Sequence, residues 1–377
     1  MRDSTDVSRR TVLGTVGGSL ANGVIVGSAA GESNGEGGDT VRVNVGYRSN
    51  RGRRAAASRA ENVFYDHPTD VLTIEVDRDA VRGLRRRGDV RFVEPDIELE
   101  AIAQTTPYGI ETVNATDAHA SGETGSSADV AVIDTGVDAT HPDLADNLGE
   151  GRAFVAGVGT PLWDDANGHG THVAGTVGAI DNNRGVIGVA PDVTLHAVKV
   201  LNATGTGLTS DIAAGIEWTA DQGYGVGNLS LGGGGTSTLR EACQYAEDRG
   251  TLLVAAAGNG GPCSDCVSAP ARYPECMAVS ATDENDGLAS FSSTGPEVEI
   301  AAPGAGVYST YYANSYNTLS GTSMASPHVA GGAAQLVADG YSRGEARGRL
   351  KDTAADVGLS ENDGGAGRLD VAAALEL

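Results

Sequence analysis

Residues 167–178 read NGHGTHVAGTVG and contain two of the chain's seven histidines, His169 and His172. Glycines flank His169, and the small residues after it are typical of a tightly packed helix that begins at this histidine. Taken alone, His169 could cap that helix, or both histidines could bind a metal. Metal-binding pairs on a helix prefer a spacing of four, and no glutamate lies between these two as in HExxH. The role of His169 therefore depends on the side chains that the rest of the chain brings to it.

Apolar segments that end in polar residues or glycines occur on both sides of this stretch. DVAVID ends at Asp134, TLLVAAAGN ends at Asn259, and VGNLSLGG ends in glycines at residue 233. From residue 106 onward such segments alternate with Ala/Gly-rich helices, which predicts an α/β fold with a largely parallel sheet flanked by helices. Functional side chains gather at the carboxyl ends of parallel strands. We therefore expect Asp134 and Asn259 at one crevice, although Asp134 alone would more simply be a turn residue.

A third segment, LSGTSMASPHVA at residues 319–330, predicts a serine at the start of an Ala-rich helix. Gly321 permits a sharp turn into the helix, and the free N–H groups and dipole at a helix N-terminus favour a developing oxyanion. By itself Ser323 is only a helix cap. It does not lie in the GxSxG turn of α/β-hydrolases, because residue 325 is alanine.

Together these residues form a chemically complete set. A nucleophilic serine needs a base, and the base needs a carboxylate that fixes its tautomer and stabilises the imidazolium. Asp134, His169 and Ser323 can fill these roles, and the Asn259 side chain can donate a hydrogen bond to the oxyanion.

The segments DTGVDATHPDL, GHGTHVAGTVG and GTSMASPHVAG resemble, in family order, the three active-site blocks of the subtilisin-like serine proteases. The resemblance extends over the chain after Gln104 and implies a secreted serine endopeptidase that acts on polypeptides, with His141, His172 and His328 in structural positions. An esterase-type hydrolase is disfavoured by the order of the three residues. A catalytically inactive subtilase used for binding is disfavoured because the triad and Asn259 are all present.

The resemblance also implies how substrate and metal are held. Ser230, Leu231 and Gly232 match the strand that pairs with the substrate backbone, and Gly205 and Gly207 lie on the other side of it. The first side-chain pocket is assigned to four small residues, which predict a preference for large apolar side chains: Gly232, Ala257, Gly258 and Ser268. Ala269-Pro270 matches a position where the family has a cis peptide bond.

A structural calcium site is the cofactor that the resemblance implies. Its matching positions are side-chain oxygens of Gln104, Asp143 and Asn182 and carbonyls of Ile180, Arg184 and Val186, an all-oxygen set that suits Ca²⁺. Asp181 and Arg184 within this loop depart from the family pattern and change its local charge.

The N-terminal third predicts export and processing. Residues 1–30 carry Arg9-Arg10 before a short apolar run and the small residues Ser28-Ala29-Ala30, which indicate a twin-arginine signal and an extracellular location. The alternative is a disordered arginine-bearing tail. The apolar run is too polar for a stable membrane span.

Residues 31–102 are predicted to be a linker and a small α+β propeptide, and residues 103–377 the peptidase domain. Strands are predicted at 41–45, 71–76 and 90–94, with a helix over 77–87. The weaker resemblance here implies a propeptide that templates and inhibits the protease, with its tail at 94–103 extended for cleavage. Residues 85–87, Arg-Arg-Arg, could instead be only a solvated helix face.

The net charge is −24, and 34 acidic against 11 basic side chains lie after residue 102. Such a surface disfavours binding to nucleic acid or anionic membranes and is typical of proteins that work in high salt. With the export signal, it resembles the halolysins of haloarchaea; the alternative is an ordinary acidic secreted protein. We expect a monomer.

Four cysteines, at positions 243, 263, 266 and 276, allow up to two disulfides with three possible pairings in an exported protein. Cys263 and Cys266 have the spacing of half a zinc site, but no second half follows them.

Overall fold

The computed structural model describes residues 40–97, 104–155 and 162–377. The chain divides into two units, Met1–Ala101 and Ile102–Leu377. The predicted export signal, nearly all of the predicted linker, and residues 98–103 of the predicted processing segment lie outside the described residues. Within the described ranges, no helix is long and apolar enough to cross a membrane.

The first unit is a four-stranded antiparallel sheet with two helices. Its elements are β1 (Thr40–Tyr47), α1 (Asn50–Ala57), β2 (Ala60–His67), β3 (Val71–Asp77), α2 (Arg78–Arg85) and β4 (Val90–Pro95). The strand order is β2-β3-β1-β4. The three predicted strands and the predicted helix are present, and the Asp77 carboxylate caps α2 by accepting the Asp79 N–H at 2.7 Å. The pattern does not predict α1 and β2, because α1 is strongly hydrophilic and most of β2 is exposed.

The second unit contains a seven-stranded sheet of parallel pairs in the order β11-β10-β9-β8-β5-β7-β6, with a separate antiparallel hairpin of β12 and β13. Its strands are β5 (Asp129–Asp134), β6 (Arg152–Ala153), β7 (Thr194–Lys199), β8 (Val226–Leu229), β9 (Leu252–Ala256), β10 (Cys276–Thr282), β11 (Val298–Pro303), β12 (Val307–Tyr311) and β13 (Ser315–Leu319). Its helices are α3 (Tyr108–Thr112), α4 (Ala115–Ser121), α5 (His169–Gly178), α6 (Thr209–Asp221), α7 (Ser237–Asp248), α8 (Thr322–Ala338), α9 (Arg343–Asp352), α10 (Glu361–Gly364) and α11 (Val371–Ala374), with a 3₁₀ turn at Ala145–Asn147. The predicted α/β fold is confirmed.

Strand β5 shows how the helices cover both faces of this sheet. Val130 and Val132 pack into one apolar cluster with residues of α5 and α8, whereas Ala131 and Ile133 pack into another with residues of α6 and α7. Alternate side chains of a strand point to opposite faces, so the apolar run of β5 is buried on both sides.

The position of β5 in the sheet sets the position of the site. The strands that follow β5 in the chain pair with it on both sides, β7 on one side and β8 on the other. The crevice at such a switch point lies outside the carboxyl ends of the strands. Helices α5 and α8, which begin at His169 and Thr322, pack against each other on one face of the sheet. Helix α5 also lies close to β12, and this approach requires glycine, because a Cβ on Gly175 would lie 2.1 Å from the Thr310 hydroxyl.

Candidate active site

Asp134 and His169 form a hydrogen-bonded pair at the carboxyl end of β5. The His169 Nδ1 lies 2.7 Å from Asp134 Oδ1, which also accepts the Thr135 N–H at 2.7 Å. Asp134 is fully buried, whereas the His169 side chain is 27% exposed. A carboxylate at Nδ1 leaves Nε2 without a proton in the neutral ring, so that Nε2 can accept one.

The charge of Asp134 also decides the basicity of His169. Burial alone would lower the pKa of His169, but the negative charge of Asp134, its hydrogen bond and the more distant charge of Asp165 outweigh burial and raise that pKa. His172 behaves in the opposite way: burial lowers its pKa to about 4, and its Nε2 lies 3.0 Å from the Val307 carbonyl oxygen. The two histidines of the opening stretch therefore have different partners and different chemistry.

Ser323 is the second residue of α8 and makes a reciprocal contact with Ser230. Its hydroxyl donates to the Ser230 carbonyl oxygen at 3.1 Å, and the Ser230 hydroxyl donates to the Ser323 carbonyl oxygen at 2.7 Å. Pro327 explains why that carbonyl is available, since proline has no N–H for the residue four positions before it. Pro327 is the sixth residue of the helix. In this structure the Ser323 hydroxyl bonds to Ser230 rather than to His169, and such catalytic contacts often tighten only when substrate binds.

Asn259 follows β9 and lies beside the start of α8. Its Oδ1 accepts both the N–H and the hydroxyl of Thr322, at 2.9 and 3.1 Å. These two bonds fix the orientation of the amide and leave its Nδ2 group to donate elsewhere. Because Thr322 precedes Ser323 directly, this donor lies next to the serine.

A cleft of about 450 Å³ extends from His169 along the ends of β7 and β8. Five of the predicted substrate-binding residues line it: Gly205, Gly207, Ser230, Leu231 and Gly232. Its wall also contains apolar side chains that the sequence analysis missed: Leu201, Ile212 and Leu239. No local signal identifies these three, since their spacing is that of ordinary core positions and only the fold brings them to one wall.

Ser268 and the small residues predicted for the first pocket lie close together. The Ser268 N–H donates to the Ala257 carbonyl at 2.8 Å. Gly258 has φ +115°, and a Cβ there would lie 2.7 Å from the Ser268 hydroxyl. A Cβ on Gly232 would lie 3.0 Å from the Ser268 Cβ. The Ala269–Pro270 bond is cis, as expected from the resemblance, and so is Gly261–Pro262, for which the sequence carries no expectation.

The six predicted calcium-ligating residues converge on the loop that follows α5. The Gln104 Nε2 lies 2.8 Å from the Ile180 carbonyl oxygen and 3.2 Å from that of Val186. Asp143 is buried and accepts the Val186 N–H at 3.0 Å and the Asn182 Nδ2 at 3.2 Å. The Arg184 N–H donates to the Asn182 Oδ1, while the Arg184 side chain is exposed. In the described ranges, no cluster of three or more histidine, cysteine or acidic side chains is arranged for a metal; the oxygens here are mainly carbonyls and amides.

One of the possible disulfides is present. Cys263 is bonded to Cys266, and this pairing removes them from consideration as half of a zinc site. Cys243 and Cys276 are buried free thiols. A hydrogen bond between these two thiols, together with burial, raises the pKa of Cys276.

Comparisons with known proteins show which family the chain belongs to. Residues 125–368 match the family profile described as the subtilase family. The chain is 48% identical over 307 residues to an alkaline protease of Alkalihalobacillus alcalophilus, covering 81% of this chain and 79% of that protein. It is 50% identical over 275 residues to subtilisin Savinase of Lederbergia lenta, covering 72% and 99% of the two chains. It is 44% identical over 310 residues to alkaline elastase YaB of Bacillus sp. strain YaB, covering 80% of each.

The chain therefore belongs to the subtilase family of serine endopeptidases. The relatives named here are alkaline proteases and subtilisins of bacilli, not halolysins of haloarchaea. The closer resemblance to halolysins thus stays a proposal.

Proposed function

We propose that this chain is a secreted, salt-adapted subtilase that is made as a self-processing precursor and cleaves peptide bonds with Asp134, His169 and Ser323. The observation that carries this assignment is the 2.7 Å bond between His169 Nδ1 and the buried Asp134 carboxylate. It orients the imidazole and stabilises the cation that forms when His169 takes the Ser323 proton. The serine oxygen then attacks the peptide carbonyl, and His169 returns the proton to the leaving amine.

Asn259 is proposed to hold the oxyanion. As charge develops on the peptide oxygen, its fixed Nδ2 group donates to it, together with N–H groups at the start of α8. The two bonds from Thr322 support this role, because a donor that is already oriented needs no reorganisation during the reaction.

Substrate is proposed to bind as an extended strand between Gly205–Gly207 and Ser230–Gly232. The main chain would supply hydrogen bonds, and pockets would supply preference. The small residues around Ser268 leave room for a substrate side chain. They support a preference for a large apolar residue directly before the scissile bond. The apolar wall of Leu201, Ile212 and Leu239 supports a second apolar preference further from it.

Calcium is proposed as a structural cofactor. The carbonyls of Ile180 and Val186, the Asp143 carboxylate and the amides of Gln104 and Asn182 supply a set of hard oxygen donors that fits Ca²⁺. Bound there, the ion would join the start of the peptidase domain to the loop after α5 and neutralise Asp143. We assign it no part in peptide cleavage.

Export, precursor cleavage and adaptation to salt are also part of the proposed function. Residues 1–30 would direct twin-arginine export, and residues 31–102 would act as linker and intramolecular inhibitor until cleavage near residues 100–104. The mature enzyme, at residues 103–377, would then act as an extracellular monomer, without nucleic-acid or membrane partners. The 34 acidic against 11 basic side chains after residue 102 support adaptation to high salt.

The test uses the full-length Ser323→Ala precursor produced in a protease-free host beside the wild type. We expect the variant to remain uncut and inactive, with the loss of about 10⁴–10⁶ in rate already established for triad removal in subtilisin. N-terminal sequencing and intact mass report the cleavage site in the wild type. A fluorophosphonate should label wild-type Ser323 and leave the variant unlabelled.

Two results would contradict the proposal in different ways. Normal maturation of Ser323→Ala would exclude self-processing. Labelling of another residue would exclude Ser323 as the nucleophile.

A further inference from the structure

A second buried carboxylate, Asp165, lies just before the helix that carries His169. It is 7% exposed and accepts four hydrogen bonds. Oδ1 accepts from the Thr135 hydroxyl at 3.0 Å and the Asn167 N–H at 2.9 Å, and Oδ2 accepts from the Thr171 hydroxyl at 2.7 Å and the Thr171 N–H at 3.1 Å. A carboxylate in this position also benefits from the dipole at the N-terminus of α5.

These bonds connect Asp165 to residues before and after His169 in the chain, Asn167 and Thr171. The Thr135 hydroxyl, which donates to Asp165, accepts the Gly170 N–H at 2.9 Å, and Thr135 follows Asp134 directly. The Asn167 side chain, whose backbone is bonded to Asp165, accepts the His169 N–H at 3.2 Å. Asp165 is therefore linked by hydrogen bonds to residues on both sides of His169 and to Thr135, the neighbour of Asp134.

Lys199 is a buried cation next to the same residues. It ends β7, directly across from Asp134 in the parallel pairing with β5, and is only 1% exposed. Its ammonium group donates to the Thr135 carbonyl oxygen. Burial lowers the pKa of Lys199, and the charges of Asp165, Asp134 and Asp164 oppose that effect and favour the ammonium form.

We propose that Asp165 and Lys199 are positioning residues for the general base: Asp165 holds the turn that carries His169 and adds a second buried negative charge, and Lys199 offsets that charge. Lys199 and protonated His169 offset the charges of Asp134 and Asp165, and the half-buried Asp164 adds a further negative charge that acts on Lys199. When His169 is neutral, the excess of negative charge is larger by one. His172, on the same helix, is uncharged and does not enter this balance. The inference rests on the proposed role of His169 as the base.

The test is the acid limb of the pH profile of kcat/KM, which reports the protonation of the free enzyme's base. It uses the full-length precursor, matured with wild-type protease where self-processing is slow, and a soluble peptide substrate. In Asp165→Asn the loss of negative charge should move the limb to lower pH. In Lys199→Met the loss of positive charge should move it to higher pH. In Asp165→Asn, kcat should also fall about 10- to 100-fold, the cost of misplacing a catalytic group.

Two variants separate charge from geometry. Asp165→Glu keeps the charge, and Thr171→Val removes one bond to Asp165 and the acceptor of the Asp138 N–H without changing charge. Both should lower kcat and leave the limb where it is in the wild type. If Asp165→Asn does not fold, Lys199→Met still tests the effect of charge on the acid limb.

Shifts in opposite directions support the proposal. A limb that stays fixed in both charge variants, or moves in the same direction in both, overturns it and leaves only a structural role. His169→Ala separates this failure from failure of the proposed function: residual activity with an unchanged acid limb in His169→Ala would show that the base itself is wrongly assigned.

Discussion

Asp143 offers a measurable link between the hydrogen bonding of one buried carboxylate and the stability of the peptidase unit. Its Oδ2 accepts the Val186 N–H at 3.0 Å and the Tyr316 hydroxyl at 2.9 Å, and its Oδ1 accepts the Asn182 amide at 3.2 Å. Asn182 has a second acceptor, the Pro142 carbonyl, at 3.2 Å. In Asp143→Ala, the Val186 N–H and the Tyr316 hydroxyl therefore lose the acceptor that the structure provides for them.

The expected magnitude follows from those two donors. A buried donor without a partner costs about 1–3 kcal/mol, and the half-buried Tyr316 hydroxyl can bond to water instead, so the variant should lose about 1–3 kcal/mol of unfolding free energy through the buried Val186 N–H. In a domain of this size 1 kcal/mol corresponds to about 2–4 °C in Tm, which gives a fall on the order of 5 °C. The proposed calcium adds a separate effect: at 100 times its Kd it contributes about 2.7 kcal/mol. Excess chelator should remove that contribution from the parent and remove nothing from Asp143→Ala.

The assay is thermal unfolding by near-ultraviolet circular dichroism in high salt, with and without chelator. All variants are made in a Ser323→Ala background, so that autolysis does not enter the measurement. Asp146→Ala is the matched control, because Asp146 lies three residues away and is exposed; its unfolding free energy should change by less than about 0.5 kcal/mol. Tyr316→Phe removes one donor instead of the acceptor and should keep the response to chelator.

Two outcomes would refute this reasoning. If Asp143→Ala responds to chelator as fully as its parent, calcium is not held at this loop. If it unfolds within about 2 °C of the parent in calcium, the hydrogen bonds do not carry the stability assigned to them.

Three further predictions follow from the site, the surface and the cysteines. Asn259→Leu should lower kcat about 10²–10³-fold with little change in KM, the loss already known for this type of donor in subtilisin; an unchanged kcat would remove Asn259 from the oxyanion site. The mature enzyme should lose activity and tertiary structure below about 1 M monovalent salt, where the Debye length exceeds about 3 Å. Neutral replacements of Glu217, Glu241 and Asp248, which are exposed and make no ion pair within the described ranges, should lower the salt midpoint. Asp283 and Asp286 are unsuitable for that test, because Asp283 accepts two backbone N–H groups and Asp286 pairs with Arg368. Full activity after dialysis into 50 mM salt with calcium retained would contradict salt adaptation. Cys243 and Cys276 should resist alkylation until the protein is unfolded, since both are buried, and mass spectrometry should then find two modified thiols and one disulfide; modification of the folded protein would contradict the burial.

The chemistry of the candidate site is largely readable from short segments. Asp134 ends an apolar strand, and His169 and Ser323 lie in the first turns of helices of small residues. In each case local backbone propensity determines the element that carries the group. In the first unit, strands β1, β3 and β4 and helix α2 are also predicted, because their apolar residues recur with a clear period. Helix α1 and strand β2 are not, because hydrophilic or exposed segments carry no apolar period that shows which way they face.

Other features depend on contacts between residues far apart in the chain. Lys199 follows Asp134 by 65 positions in the numbering, yet the pairing of β5 with β7 sets them side by side. The apolar cleft wall takes Leu201, Ile212 and Leu239 from three different places, and the bond from Ser230 to the Ser323 carbonyl joins β8 to α8.

The sequence alone thus determines which groups end each element, because that depends on neighbours within a few residues. Which buried charges meet and which side chains line the cleft are decided by strand order and helix packing. Those are properties of the whole chain, since a charge or an apolar side chain acts on whatever the fold places within a few ångströms of it, regardless of its distance along the sequence.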